Sequence, residues 1–131
     1  MRKSMFAALL GALALLAPLT AEAKSYSNSS GSGSCLTSEA RSLLGRIQAR
    51  FGKVEIISTC RKGARIATTG RPSKHASGQA IDFRIPGRKR EVVKWLIANH
   101  GSGGTMTYSD MDHIHVDVGS HFVALNRNSG H

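Results

Sequence analysis

Four residues between Arg71 and Arg84 stand at a spacing that can do chemistry: His75, Gly78, Ala80 and Asp82, in the pattern H-x-x-G-x-A-x-D. A second stretch, Asp112-His113-Ile114-His115-Val116-Asp117, supplies two more imidazoles and two more carboxylates. Two imidazoles and a carboxylate drawn from two segments match the ligand set of a catalytic zinc ion, with one coordination position left for water. His75, Asp82 and His115 are the candidate ligands. A lone histidine is more often a surface or hydrogen-bonded residue. It is the joint occurrence of both motifs in a chain of 131 residues that points to a metal.

The elements that must position these residues follow from periodicity. Gln79 to Ile85 reads as a strand with Ala80, Asp82 and Arg84 on one face and Ile81, Phe83 and Ile85 on the other. His113 to Val118 reads as another, with His113, His115 and Asp117 opposite Ile114, Val116 and Val118. Both strands send apolar residues one way and metal-ligand types the other. As antiparallel neighbours they would bring Asp82 and His115 together, with His75 reaching in from the preceding loop. Gly78 allows a tight turn between two ligands, and the small Ala80 leaves room for an ion.

The remaining elements are scaffold. Ala40, Leu43, Leu44, Ile47 and Phe51 recur at helical spacing from about Thr37 to Phe51, with Thr37 or Ser38 as cap and Gly52 as stop. Lys53 to Thr59 is β-branched-rich and reads as a strand. Cys60 to Lys74, with Gly63, Gly70 and Pro72, reads as a long loop into the first motif, a feature more often functional than idle in a small domain. Arg88 to His100 reads as a second helix packed through Val92, Val93, Trp95, Leu96 and Ile97. A short strand from Thr105 to Ser109 precedes the last one, and Ala124 to His131 reads as a loose polar tail. The expected fold is α+β, a small antiparallel sheet with flanking helices.

Residues 1 to 23 carry Arg2 and Lys3, an apolar run from about Met5 to Leu16, Pro18 and then Ala21-Glu22-Ala23, the signature of a cleavable secretory signal. The run is shorter than the roughly 20 residues a membrane span needs, so no stable membrane insertion is expected after cleavage and the destination is secreted or periplasmic. Residues 24 to 34 form a Ser/Gly-rich leader, and the domain is expected over 35 to 123. In an oxidising compartment Cys35 and Cys60, the only cysteines, are expected to pair. Closing a loop of roughly 25 residues contributes about 3 kcal/mol in the loop-entropy account. The chain has 18 Lys and Arg against 8 Asp and Glu. Removing residues 1 to 23 leaves 16 against 7, which draws the domain toward polyanions. For an exported chain these are the cell wall and anionic lipid rather than nucleic acid.

SKHASGQAID followed by DHIHVDVG resembles the zinc D-alanyl-D-alanine metallopeptidases, the superfamily that includes the Hedgehog-type zinc domain and the lysostaphin-type endopeptidases. The resemblance runs from Lys53 to Gly119. It implies Zn2+ held by His75, Asp82 and His115. Arg61, in STCR, matches the arginine of the family's S-G-x-R that contacts a substrate carboxylate or the reacting carbonyl. Ser73 matches the serine two residues before the first ligand and, like Arg61, is expected to bind substrate. The general base has two candidates: Asp112, where many relatives carry a glutamate, and His113, the first histidine of the H-x-H of smaller relatives. Strand parity favours His113.

The implied activity is metal-assisted hydrolysis of peptidoglycan stem or cross-link peptides, as a D,D-carboxypeptidase or murein endopeptidase, by a monomer. An alternative is a wall-binding module that keeps zinc for structure, with Asp117 or His113 closing the coordination sphere. A basic exported nuclease is a third reading, weakened by the lack of a phosphate-binding loop or a second metal motif.

Overall fold

The computed structural model describes residues 35–129. The expected signal segment and leader lie outside them. Two helices cover one face of a five-stranded sheet, an α+β arrangement, and the other face carries both motifs.

Helix α1 spans Ser38–Phe51; Thr37 Oγ1 accepts from the Ala40 N–H at 3.3 Å, and Gly52 ends the helix at φ 81°. Ala40, Leu43, Ile47 and Phe51 are its buried face. Helix α2 spans Lys89–Asn99 and buries Val92 and Leu96, with Val93 and Trp95 partly covered. Ile97, expected in the packed set, is 47% exposed. Its position five residues after Val92 turns it off the buried stripe, which follows spacings of three and four.

The strands are β1 (Glu55–Ser58), β2 (Ala80–Arg84), β3 (Gly104–Tyr108), β4 (Ile114–Asp117) and β5 (Phe122–Arg127), in the order β1-β2-β4-β3-β5. All neighbours are antiparallel except β3 and β5, so the sheet is mixed. Ile81, Phe83, Ile114 and Val116 are fully buried beneath the helices. Each contributes about 1.5–3 kcal/mol by leaving water. A one-residue slip would exchange this set with the carboxylate and imidazole set, so burial fixes the register of the motif strands.

The stretch from Ala124 onward, expected to be a loose tail, is a strand as far as Arg127. β5 is held through its backbone along the β3 edge, while five of its six side chains stay exposed. A strand that buries almost nothing carries no alternating pattern for sequence reading to find.

Cys35 and Cys60 form a disulfide. It ties the segment before α1 to the loop after β1, next to the turn that carries His75. Among the described residues, no helix is long and apolar enough to cross a membrane.

Candidate metal centre

His75 lies on a short 3₁₀ turn, Lys74–Ser77. Ser73 caps this turn, its Oγ accepting from the His75 N–H at 3.3 Å. The hydroxyl expected to meet substrate is thus engaged in setting the first ligand. Gly78 closes the turn in the left-handed region at φ 69°. A Cβ there would stand 2.3 Å from the carbonyl oxygen of Cys35. The glycine therefore serves both the turn and the close passage of the disulfide-linked segment.

Asp82, in the middle of β2, pairs directly with His115 on β4. The three side chains converge: His75 Nε2 lies 3.1 Å from Asp82 Oδ2, and His115 Nδ1 lies 2.9 Å from Asp82 Oδ1. All three are buried, and one ligand atom from each falls within 4.8 Å of the others.

The second nitrogen of each ring is held from behind. His75 Nδ1 donates to the Thr59 carbonyl at 2.5 Å, which leaves its Nε2 to face the centre. His115 Nε2 lies 3.1 Å from Asp117 Oδ2, which leaves Nδ1. Such outer partners fix ring orientation and raise the basicity of metal-binding imidazoles. The residues present therefore fit a divalent transition metal, with two nitrogens and one carboxylate aimed at one point and each ring braced.

Asp117 is itself over-determined. Its Oδ1 accepts from the Gly104 N–H at 3.0 Å, and its carbonyl accepts from His100 Nε2 at 2.8 Å. Ala80 is its cross-strand partner, and this small neighbour leaves space for the carboxylate. A Cβ on Gly103 or Gly104 would collide with Asp117 atoms. Parity places Asp117 on the ligand face in sequence, but its hold on His115 and the main-chain hydrogen bonds that fix it, from Gly104 and His100, are contacts that periodicity does not report.

Without a metal, the cluster is a chain of imidazoles and carboxylates. Burial opposes a charge on Asp82, but hydrogen bonds from His115 and His75 outweigh it and hold the carboxyl well below its usual range. Burial likewise opposes charge on His115, while the carboxylates of Asp117 and Asp82 prevail and push it up to about 9.

The other candidates divide. His113, just before β4, is half-buried with its ring 5.3 Å from that of Tyr108. Asp112 is exposed, and its charge acts on Arg84, which is paired with Glu55 at 2.6 Å. The Arg61 N–H donates to the His75 carbonyl at 2.9 Å, which fixes its backbone beside the first ligand. Its guanidinium acts on the Tyr108 hydroxyl. Tyr108, absent from the candidates read from sequence, belongs to the same face: Met106, two residues earlier, pairs with His115. A cavity of about 640 Å³ lies elsewhere, between α1 and the loop after α2, and is lined by Ser42, Arg46, His100 and Gly119 rather than by the ligands.

The model of the peptidase M15 family matches residues 18–117. The chain belongs to that family. No curated protein and no solved structure matches it. M15 enzymes are metallopeptidases, and in this member the buried trio His75, Asp82 and His115 is a group that could hold a metal ion.

Proposed function

We propose that this M15 peptidase is a zinc enzyme that hydrolyses the stem or cross-link peptides of peptidoglycan. The observation that carries this reading is the division of labour on the ligand face. Three buried residues converge, while of the two candidate fourth ligands Asp117 is taken up by His115 and Gly104, and the ring of His113 packs on Tyr108. That favours a site with an open position over a closed structural one. Zinc there would supply Lewis acidity toward the scissile carbonyl and a water of lowered pKa.

The chain's own residues do the rest. His113, on the approach to β4, exchanges the proton with the leaving amine; Asp112 is the second candidate for that role. Arg61 holds a carboxylate of the peptide by a charge-assisted hydrogen bond. The basic surface keeps the protein on an anionic wall. Export through the 1–23 segment agrees with the Cys35–Cys60 disulfide, since such bonds persist in oxidising compartments.

The test is mass spectrometry of muropeptides after incubation with the chain lacking residues 1–23. Cross-linked dimers and pentapeptide monomers are used, with zinc, with a chelator and with zinc restored. Chelator-sensitive conversion of dimers to monomers identifies an endopeptidase; loss of one alanine from pentapeptides identifies a carboxypeptidase. Intact muropeptides under tight zinc binding would overturn the reading in favour of a wall-binding module.

A further inference from the structure

Asn126 is the one described non-glycine residue with positive φ, at 54°, and its N–H donates to Thr107 Oγ1 at 2.9 Å. The pairing of β3 with β5 slips at this point: Met106 faces Ala124, but Tyr108 faces Arg127. A bulge of this kind adds one residue and re-aims the side chains beyond it. In an unbroken register residue 126 would face Tyr108, and Arg127 would point to the opposite side of the sheet. The slip puts Arg127 on the face that carries the metal ligands.

Two observations support that placement. Met106 pairs with His115, so Tyr108, two residues on, shares the ligand face, and its ring packs against His113. The Tyr108 hydroxyl, pushed up by burial and the charge of Asp82, is pulled back by Arg127 and Arg61. The charge of each guanidinium thus reaches Tyr108 on the ligand face. Arg127 spends its carbonyl on the Ser109 N–H. Its side chain is exposed and makes no hydrogen bond or ion pair with the described residues. Arg61 follows β1 at one edge of the sheet, whereas Arg127 ends β5 at the other. Two strand spacings, about 10 Å, separate β5 from β4, a distance that two or three residues of extended peptide span.

We propose that Arg127 is a specificity-determining residue, binding a substrate carboxylate two or three residues from the scissile carbonyl, on the flank of the metal opposite Arg61. The inference rests on the peptidase reading and adds a requirement to it: the preferred peptide is anionic on both sides of the bond. The carboxylate is either the C-terminal α-carboxylate or that of an internal glutamate, and the assay separates these.

Calorimetry would measure binding of the stem tetrapeptide L-Ala-D-Glu-L-Lys-D-Ala to the zinc-loaded protein, alongside one version amidated at the C-terminus and one amidated at the glutamate carboxylate. The unmodified peptide should bind about tenfold more tightly than each amidated version, the scale of the charge-assisted hydrogen bond each one loses to Arg61 or Arg127. The version against which Arg127→Gln no longer discriminates names the carboxylate that Arg127 meets. Arg127→Gln should remove that one preference without lowering the melting temperature, and Arg127→Lys should retain most of it. If wild type does not discriminate, or Arg127→Gln weakens all three peptides alike or none, the inference is overturned. Hydrolysis of cross-linked dimers is scored separately. Carboxylate discrimination without hydrolysis sinks the peptidase reading alone, and hydrolysis without discrimination sinks the role of Arg127 alone.

Discussion

Asp117 grips the imidazole of His115 from the side away from the candidate metal centre, Oδ2 to Nε2 at 3.1 Å, while its other oxygen is fixed by the Gly104 N–H. The ring can neither flip nor turn without breaking a buried hydrogen bond, and its Nδ1 stays aimed at Asp82. The residue that presents the third ligand is two positions beyond it on the same strand face.

Asp117→Asn keeps the shape of that brace and removes its charge. Zinc affinity should fall by about 10–100-fold, the usual effect of losing an outer partner of a metal-bound histidine. Competition with a chromophoric chelator measures it. An affinity equal to wild type would show that the brace is structural only.

His75→Ala and His115→Ala each remove a convergent nitrogen from a site of three. Both variants should lose stoichiometric zinc binding and peptide hydrolysis together. Full activity in either would end the assignment of the ligands.

The metal-free protein should show a defined pH dependence. His115 is raised from 6.5 to about 9 in the folded state, so its contribution is fully present below pH 6.5 and is lost as pH rises through 9. Asp82 is lowered from 3.8, so its contribution is present above that pH and is lost on acidification. The melting temperature should therefore be highest between the two and decline from about pH 6.5 to 9. Zinc replaces the proton on His115, so its binding should release protons below pH 9, measurable by calorimetry in buffers of different ionisation enthalpy. A flat melting curve over the alkaline window, with no proton release, would contradict the coupling.

Cys35→Ser paired with Cys60→Ser opens a loop of 25 residues. The loop-entropy account gives a loss of about 3 kcal/mol, or a fall in Tm of roughly 12–24 °C for a domain of this size. Thermal denaturation with and without reductant tests it on the wild-type chain as well. A reductant-insensitive Tm would show that packing alone holds the segment before α1.

Gly78→Ala introduces a Cβ 2.3 Å from the Cys35 carbonyl and forces a left-handed φ on alanine. The turn carrying His75 must shift to admit it. The variant should melt lower and bind zinc more weakly than wild type. Wild-type zinc affinity in Gly78→Ala would mean that the turn does not set the ligand.

The ligand face was legible because burial is unforgiving in β2 and β4. Ile81, Phe83, Ile114 and Val116 could point only inward, so Asp82 and His115 had to share the other side. The caps at Thr37 and Gly52 were readable for a similar reason, since unpaired helix-end groups demand particular residues. The bracing role of Asp117 and the whole part of His100 escaped because they rest on main-chain groups, the Gly104 N–H for Asp117 and the Asp117 carbonyl for His100, and such contacts leave no periodic trace. Arg127 escaped more completely. Its strand buries little, and its direction depends on one left-handed asparagine, which local sequence does not distinguish from a turn residue.

The family match stops at residue 117, and the motifs stop with it, yet the sheet does not. β3, whose Tyr108 walls the ligand face, has its outer edge covered by a strand that arrives only after β4 has been laid down between them in sequence. A chain cut just past the second motif would keep every ligand and leave that edge bare, a template for pairing with other chains. The unit of recognition and the unit of folding therefore differ by about ten residues here. A shortened form drawn to the boundary of the motifs would be an aggregating fragment rather than a minimal enzyme.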